Sequence, residues 1–336
     1  MPETRLVFLT GATGFIGSRL ARELANMGHR LRCLVRPTSD IGALERLGAE
    51  LIIGDLTDGR VIEEALSGVD LAYHLAAIYD IGVVDSSALE RTNIEGTRAF
   101  LEGIERAGVQ RAIYVSTTAA LAPVDEGEGD ETSEVPPGTR HFPSVYHRTK
   151  TEAHWLAREA QSRGVPVIIA CPAFVYGPGD DGPAGHFISD LLSGRVPGLL
   201  RRPGWFSFVY VDDVVDGLLK LGEGERGRPG EVYILSGEHA SMNDFAIRVC
   251  TLAGKRPPRL RFPVPLAWLT GAMLDGVSRL TGIRFPISRE NVQVTGGPRW
   301  VHSHAKAGQE LGWSPRPLAE GLPPTLAEYI GQREGP

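Results

Sequence analysis

Leu6-Val7-Phe8-Leu9-Thr10-Gly11-Ala12-Thr13-Gly14-Phe15-Ile16-Gly17 is the stretch on which the reading of this chain turns. A short apolar run ends in a glycine-rich turn. Helical spacing then starts at Ile16 and ends at Met27, before Gly28, a C-cap residue. The glycines stand at 11, 14 and 17. The first two permit a tight turn and a close approach of backbone to a pyrophosphate, and the third lets helix and strand pack closely. The helix start, with Thr13, Gly14, Phe15 and Ile16 around it, points unpaired N–H groups and a partial positive charge at the phosphates. A glycine string alone is an ordinary turn; its place between strand and helix makes it a phosphate cradle.

Outward from this turn, short apolar runs at 31–35, 51–53, 71–75, 112–116 and 167–171 read as buried strands. Helical patterns cover about 87–107 and 145–163. Strands alternating with helices predict βαβ units, hence an α/β fold with a doubly wound parallel sheet covered on both faces. Residues 124–143 are acidic, then proline-rich, and read as a surface loop; 176–183 is a second loop. The run 209–221 starts as a strand and turns helical at Asp212-Asp213, 231–235 is another strand, and helices and turns dominate from 241. The expected plan is a nucleotide-binding domain of residues 1–172 and 209–237, and a smaller substrate lobe of 173–208 and 238–336.

Composition narrows the function classes. Of 336 residues, 42% are hydrophobic and 23% charged, which argues against a disordered or fibrous chain. The net charge of -6 and the lack of a basic stripe argue against nucleic acid as a partner. Cys33, Cys171 and Cys250 are few and far apart, suggesting neither a disulfide framework nor a metal site, and fit a reducing cytoplasm. No signal-peptide pattern precedes the first strand. The apolar 262–285 segment carries Asp275, Arg279 and Arg284 and does not read as a membrane span. Arginines number 31 and lysines only 4, so each lysine is worth locating; one is Lys150.

The end of the second strand bears on cofactor choice. An acid there accepts bonds from ribose hydroxyls, whereas an arginine accommodates a 2′-phosphate. The chain has Arg36, with Ser39 as a further donor, so NADP is favoured over NAD. The bland alternative is that Arg36 stacks on the adenine or faces solvent. Asp40 reads as a helix cap. Asp55 and Leu56 follow the third strand, where an adenine edge is read. Leu75, Ala76 and Ala77 end the fourth, where small side chains let a cofactor lie against the backbone. His74 reads as a satisfied, half-buried histidine.

Tyr146 and Lys150 stand four apart in a helical pattern and share a face. An ammonium beside a phenol lowers its pKa, and a tuned phenol exchanges a proton with a substrate hydroxyl or carbonyl. Lys150 is also placed to bond a nicotinamide ribose. Thr117, at the end of the fifth strand, is the hydroxyl expected to hold the substrate oxygen, with Ser116 as support; the bland reading of either is a local backbone bond.

Together these residues resemble the extended short-chain dehydrogenase/reductase family, of the NAD-dependent epimerase/dehydratase type. The resemblance rests on the turn at 10–17, Asp55-Leu56, His74-Leu75-Ala76-Ala77, Asn93 within Thr92–Thr97, and Tyr114-Val115-Ser116-Thr117. It continues through Tyr146 with Lys150, the run 171–179, Tyr210-Val211-Asp212-Asp213-Val214 and the late stretch 310–315. It implies a Rossmann-type sheet with a smaller, interwoven C-terminal substrate lobe and a Thr117–Tyr146–Lys150 triad. It also implies nicotinamide contacts from Pro172, Ala173 and Val175, a cofactor-side or water-holding role for Asn93, and a homodimer built on the helices near 87–107 and 145–163.

The stretch 34–40 resembles the dihydroflavonol-reductase-like branch, which includes hopanoid-associated sugar epimerases and is similar to 3β-hydroxysteroid dehydrogenases. Many sugar-nucleotide members carry Arg-Asp-Phe before Tyr-Val-Asp-Asp, the arginine binding a diphosphate; here the positions read Phe206-Ser207-Phe208. Arg201 and Arg202 lie several residues away. Phe174, Trp205, Phe206 and the apolar 263–283 region are available to line a lipophilic pocket, or simply to pack the lobe. Three readings follow: an NAD(P)-linked oxidoreductase on a small or lipophilic alcohol or ketone; an epimerase or dehydratase of sugars or sugar nucleotides that recycles its cofactor; and a dinucleotide sensor without turnover.

Overall fold

Each apolar run in the first half becomes a strand. The computed structural model describes residues 4–81, 86–224, 226–281, 285 and 287–331; the expectation for Arg284 lies outside them. In chain order the strands are β1 (Leu6–Thr10), β2 (Arg30–Val35), β3 (Glu50–Ile53), β4 (Leu71–His74), β5 (Ala112–Val115), β6 (Val167–Pro172), β7 (Phe174–Tyr176), β8 (Gly198–Leu200), β9 (Trp205–Tyr210), β10 (Val232–Leu235), β11 (Glu238–Ser241), β12 (Leu260–Phe262) and β13 (Arg299–Trp300).

Seven strands form one parallel sheet in the order β3-β2-β1-β4-β5-β6-β10. The chain crosses over between β1 and β4, so a crevice opens where their C-terminal ends diverge. Alternation along each strand feeds two cores. Val7, Leu9, Ile113 and Ile168 pack on the side of helices Phe15–Asn26 and Val211–Gly222. Phe8, Tyr114, Val167 and Ile169 pack on the side of Gly59–Leu66, Gly96–Ala107 and Val145–Ser162. Burial on both faces explains why these strands read as near-continuous apolar runs. The three cysteines are free and buried.

Two features depart from the sequence reading. The expected single helix over 87–107 is three pieces: Ser87–Leu89, a wider π-helical turn over Glu90–Glu95, and Gly96–Ala107. The wide turn contains Asn93, whose amide is fully engaged inside the protein (below), a place where such turns are often used. A second sheet also forms beyond β6. β9 pairs with β7, β11 and β13 and covers a core of Phe206, Phe208, Tyr210 and Phe245. The strand expected to begin at 209 runs Trp205–Tyr210, and the helix starts at Val211 with Asp212 and Asp213 in its first turn, the favourable end for acids.

The 124–143 loop is fastened more firmly than a surface loop requires. Glu131 accepts the Ile234 N–H at 3.1 Å, and Glu134 meets His154 Nε2 at 2.9 Å.

Candidate active site

The glycine turn joins β1 to the end of β4. Gly11 has φ +72°, and a Cβ there would lie 2.7 Å from Ala76 N; a Cβ on Gly17 would lie 2.1 Å from Gly11 O. Both contacts exclude any side chain, so helix, turn and β4 close on one another backbone to backbone. Gly14 caps the first helix with no side-chain bond, and no acid stands in the first turn. Thr13 and Gly14 are exposed, and Phe15 and Ile16 half-buried. A helix N-terminus left uncapped beside bare glycine backbone fits a dinucleotide pyrophosphate.

Around the rim, Arg36 is exposed, and Ser39 Oγ accepts the Arg36 N–H at 3.2 Å while keeping its own proton to donate. Asp40 takes the Gly42 N–H at 3.1 Å, at the start of the helix Gly42–Arg46. Asp55 accepts from Thr57 N and Oγ1 and pairs with Arg91 at 3.0 Å. The Thr57 bonds, then Arg91, hold its carboxyl below the usual range. Leu56 packs where a Gly96 side chain would stand, with 2.5 Å to the built Cβ. Leu75 and Ala76 are half-buried and Ala77 exposed.

A directed chain of hydrogen bonds runs from this turn to the Val145–Ser162 helix. Thr97 Oγ1 donates to Asn93 O at 2.7 Å, so toward His74 Nε2, 3.1 Å away, it acts as acceptor. That assigns the His74 proton to Nε2 and leaves Nδ1 to accept from Thr10 Oγ1 at 2.7 Å. Thr10 Oγ1 in turn receives the Ala76 N–H at 3.2 Å. Asn93 clasps both Ile78 N and Ile78 O and donates to Thr149 Oγ1 at 3.1 Å, which donates to Tyr146 O. His74 is fully buried and stacks on Phe100; burial, then the charge of Lys150, lowers its pKa to about 3. It is thus a neutral structural link, more deeply buried than expected.

The candidate catalytic residues converge at the end of β5. Tyr146 is buried, with the Tyr79 ring 4.6 Å away. Burial raises the phenol to about 12, against the opposing pull of a hydrogen bond with Thr117. Thr117 Oγ1 also accepts the Ala119 N–H at 3.2 Å.

Ser116 faces elsewhere. Its Oγ is 2.8 Å from His154 Nδ1, and His154 Nε2 is 2.9 Å from Glu134, which Arg158 also pairs. The pleat separates the two adjacent hydroxyls, one toward the phenol and one into a buried Ser–His–Glu relay.

Lys150 is buried and departs from the simple pairing with Tyr146. Its Nζ donates to Val115 O at 3.0 Å and to Tyr114 Oη at 3.3 Å, and burial lowers its pKa to about 8. With no ammonium contact to offset burial, the phenol is raised rather than lowered. Sequence reasoning missed Tyr114, Thr97, Thr149, His154 and Glu134 as partners. Only the four-residue spacing of Asn93 and Thr97 within one helical stretch was a usable signal.

At the other wall, Pro172 and Ala173 are buried at the end of β6, and Val175 and Phe174 half-buried in β7. Phe174 packs 5.6 Å from Phe206 and 5.0 Å from Phe208. Ser207 is committed to His239 Nδ1 at 2.9 Å and His302 N at 3.1 Å. Arg201 and Arg202 are exposed beyond β8, and Arg201 donates to Arg261 O.

Residues 7–236 match the model of the NAD dependent epimerase/dehydratase family. The chain belongs to that family. Proteins similar to it include "Sterol demethylase protein B" of Methylococcus capsulatus, 36% identical with 81% of each chain covered. A 3-beta-hydroxysteroid dehydrogenase of Mycolicibacterium neoaurum is 28% identical, with 94% of this chain and 90% of the relative covered. Among solved structures, PA4631, a nucleoside-diphosphate-sugar epimerase from Pseudomonas aeruginosa, matches with a TM-score of 0.77 at 27% identity, covering 98% of this chain and 99% of its own. The chain is therefore an enzyme of the extended short-chain dehydrogenase/reductase type, with steroid dehydrogenases and sugar epimerases among its homologues. Among the described residues no helix is long and apolar enough to cross a membrane.

Proposed function

We propose that this family member is an NAD(P)-dependent oxidoreductase acting on a small or lipophilic alcohol or ketone, with Thr117, Tyr146 and Lys150 as its working side chains. The observation that supports the reading is that the Tyr146 phenol is bonded to Thr117 just beyond β5 while Lys150, one turn along the same helix, is buried against Val115 O at the end of that strand, in the sheet whose β1 ends in the glycine turn. The turn at Gly11–Gly14 and the rim from Arg36 to Asp55 would hold the dinucleotide, with Pro172, Ala173 and Val175 facing its nicotinamide end. When bound, the cofactor supplies or accepts the hydride. The chain's own part is the proton. At neutral pH the Tyr146 phenol keeps its proton and donates it to a carbonyl oxygen that Thr117 holds by its hydroxyl. Lys150, still largely charged at pH 7, lies one helical turn from that phenol with its ammonium on Val115 O and Tyr114 Oη.

The lipophilic side of the reading rests on β9. At the position where the resemblance implies a diphosphate-binding arginine in many sugar-nucleotide members, this chain has buried Phe206, in contact with Phe174 and Phe208. The sterol- and steroid-named relatives agree with that chemistry. The likeness to a sugar epimerase favours a second reading, in which the same residues act twice around a retained cofactor. Denaturing freshly purified protein and identifying released dinucleotide separates the two. An empty site that takes up NADPH from solution is expected of the dehydrogenase; tightly held, stoichiometric dinucleotide would replace that reading with the epimerase.

For the cofactor, we propose NADP over NAD on the strength of exposed Arg36 and the free proton of Ser39. Replacing Arg36 with alanine is expected to weaken NADPH binding about tenfold or more while leaving NADH binding nearly unchanged, since it removes a charge-assisted phosphate contact. Titration of the wild type and the variant with both cofactors checks it; an unchanged ratio would remove Arg36 from the selection.

A further inference from the structure

The helix Val264–Thr281 presents an apolar stripe to solvent. Leu266, Leu269, Met273, Val277 and Leu280 fall on one face by their spacing, with Leu269 54%, Met273 67% and Leu280 89% exposed. Packing fixes that orientation. Gly271 is buried on the opposite side, where a Cβ would meet Ser288 C at 2.6 Å, and Asp275 accepts the Arg289 N–H at 3.1 Å. The stripe is thus turned outward by a close backbone contact.

The charge around it reverses the sign of the chain. Net charge is -6, yet residues 255–281 hold five basic residues and one acid. Lys255, Arg256, Arg259 and Arg261 are all exposed just before the helix, as is Leu260 between them. β12 pairs with β8 and sets Arg201 and Arg202 beside this group. None of these six cations has a carboxylate partner among the described residues. An exposed apolar helix face flanked by unpaired cations is the combination that binds an anionic lipid surface: the stripe enters the acyl boundary and the cations meet the headgroups.

We infer that Val264–Thr281 and the basic stretch 255–261 form a docking surface for an anionic phospholipid bilayer, with the helix lying in the interface. The inference is independent of the reaction proposed above. The surface lies close to the catalytic residues through the next helix, Arg289–Thr295, whose Glu290 accepts the Val145 N–H one residue before Tyr146. The homodimer expected from the resemblance uses other helices, so that interface leaves this face open.

The test is flotation of the full chain with vesicles of phosphatidylglycerol and phosphatidylcholine, against vesicles of phosphatidylcholine alone. The protein is expected to float with the anionic vesicles and to leave them on added salt. Leu269→Glu with Met273→Glu is expected to lower the partition coefficient about tenfold or more. Arg256→Glu with Arg259→Glu is expected to do so on the anionic vesicles only. All four positions are solvent-exposed, and unchanged NADPH binding and circular dichroism establish that the variants are folded. Failure of the wild type to float, or equal flotation of the variants, overturns the proposal. So does a dimer in sedimentation that Met273→Glu breaks without any vesicle binding, which would assign the face to a second copy of the chain.

Discussion

Replacing Tyr146 with phenylalanine is expected to lower kcat by about 10²–10⁴-fold while NADPH binding stays within experimental error. The ring keeps its place in the substitution. It remains buried and packed 4.6 Å from Tyr79, so only the hydroxyl and its bond to Thr117 are lost. Loss of that hydroxyl removes the proton source for the substrate oxygen, so the effect falls on kcat more than on KM. Fluorescence titration with NADPH and steady-state kinetics on a lipophilic ketone measure the two separately. Turnover that survives at the wild-type rate would end the assignment of Tyr146 as acid. A protein that binds dinucleotide but has no turnover before or after the change would be a sensor, the third reading of the sequence.

The parts of the molecule that were legible in the sequence are those where one physical demand dominates. Val7-Phe8-Leu9 within β1 has every side chain buried, because a central parallel strand has a core on each face; such a run has few other readings. The glycine turn was legible because Gly11 and Gly17 answer to backbone contacts that no side chain permits. β9 was not. Its Phe206-Ser207-Phe208 looks like a loosened apolar stretch, and its partners β7, β11 and β13 are four residues or fewer, brought together from distant parts of the chain. The π-helical turn at Glu90–Glu95 was hidden for another reason. It is held by Asn93 reaching Ile78 and Thr149, contacts 15 and 56 residues away in sequence, which helical spacing does not encode. Within the site, the four-residue spacing of Tyr146 and Lys150 marked the helix face but not the lysine's partners. Lys150 turns to Tyr114 and Val115 on β5, a tertiary preference of a buried ammonium for a phenol and a carbonyl.

That placement sets up opposite effects on stability and activity. Replacing Lys150 with methionine is expected to abolish most turnover, by about 10²-fold or more, yet to raise folding stability at pH 7 by about 1–2 kcal/mol. The ammonium is buried, and its pKa falls from 10.5 to about 8 for that reason. Below about pH 8 the folded protein therefore carries a charge that the unfolded chain solvates better. At roughly 1.4 kcal/mol per pKa unit the cost is on the order of 3 kcal/mol. The bonds lost from Val115 O and Tyr114 Oη offset part of the gain when methionine removes that charge.

The sign with pH follows from proton counts. Between about 8 and 10.5 the unfolded state binds more protons than the folded one, so wild-type stability contributed by this residue rises with pH across that window. The advantage of Lys150→Met is then largest at neutral pH and disappears near pH 10. Urea unfolding of both proteins at neutral and alkaline pH measures it. In the same window the wild type loses the positive charge one helical turn from the phenol, so ketone reduction is expected to decline as pH rises through about 8, while the enzyme itself becomes no less stable on account of this lysine. A methionine variant less stable than wild type at pH 7 would mean that the Val115 and Tyr114 bonds outweigh burial, and that the lysine is part of the scaffold as well as of the chemistry.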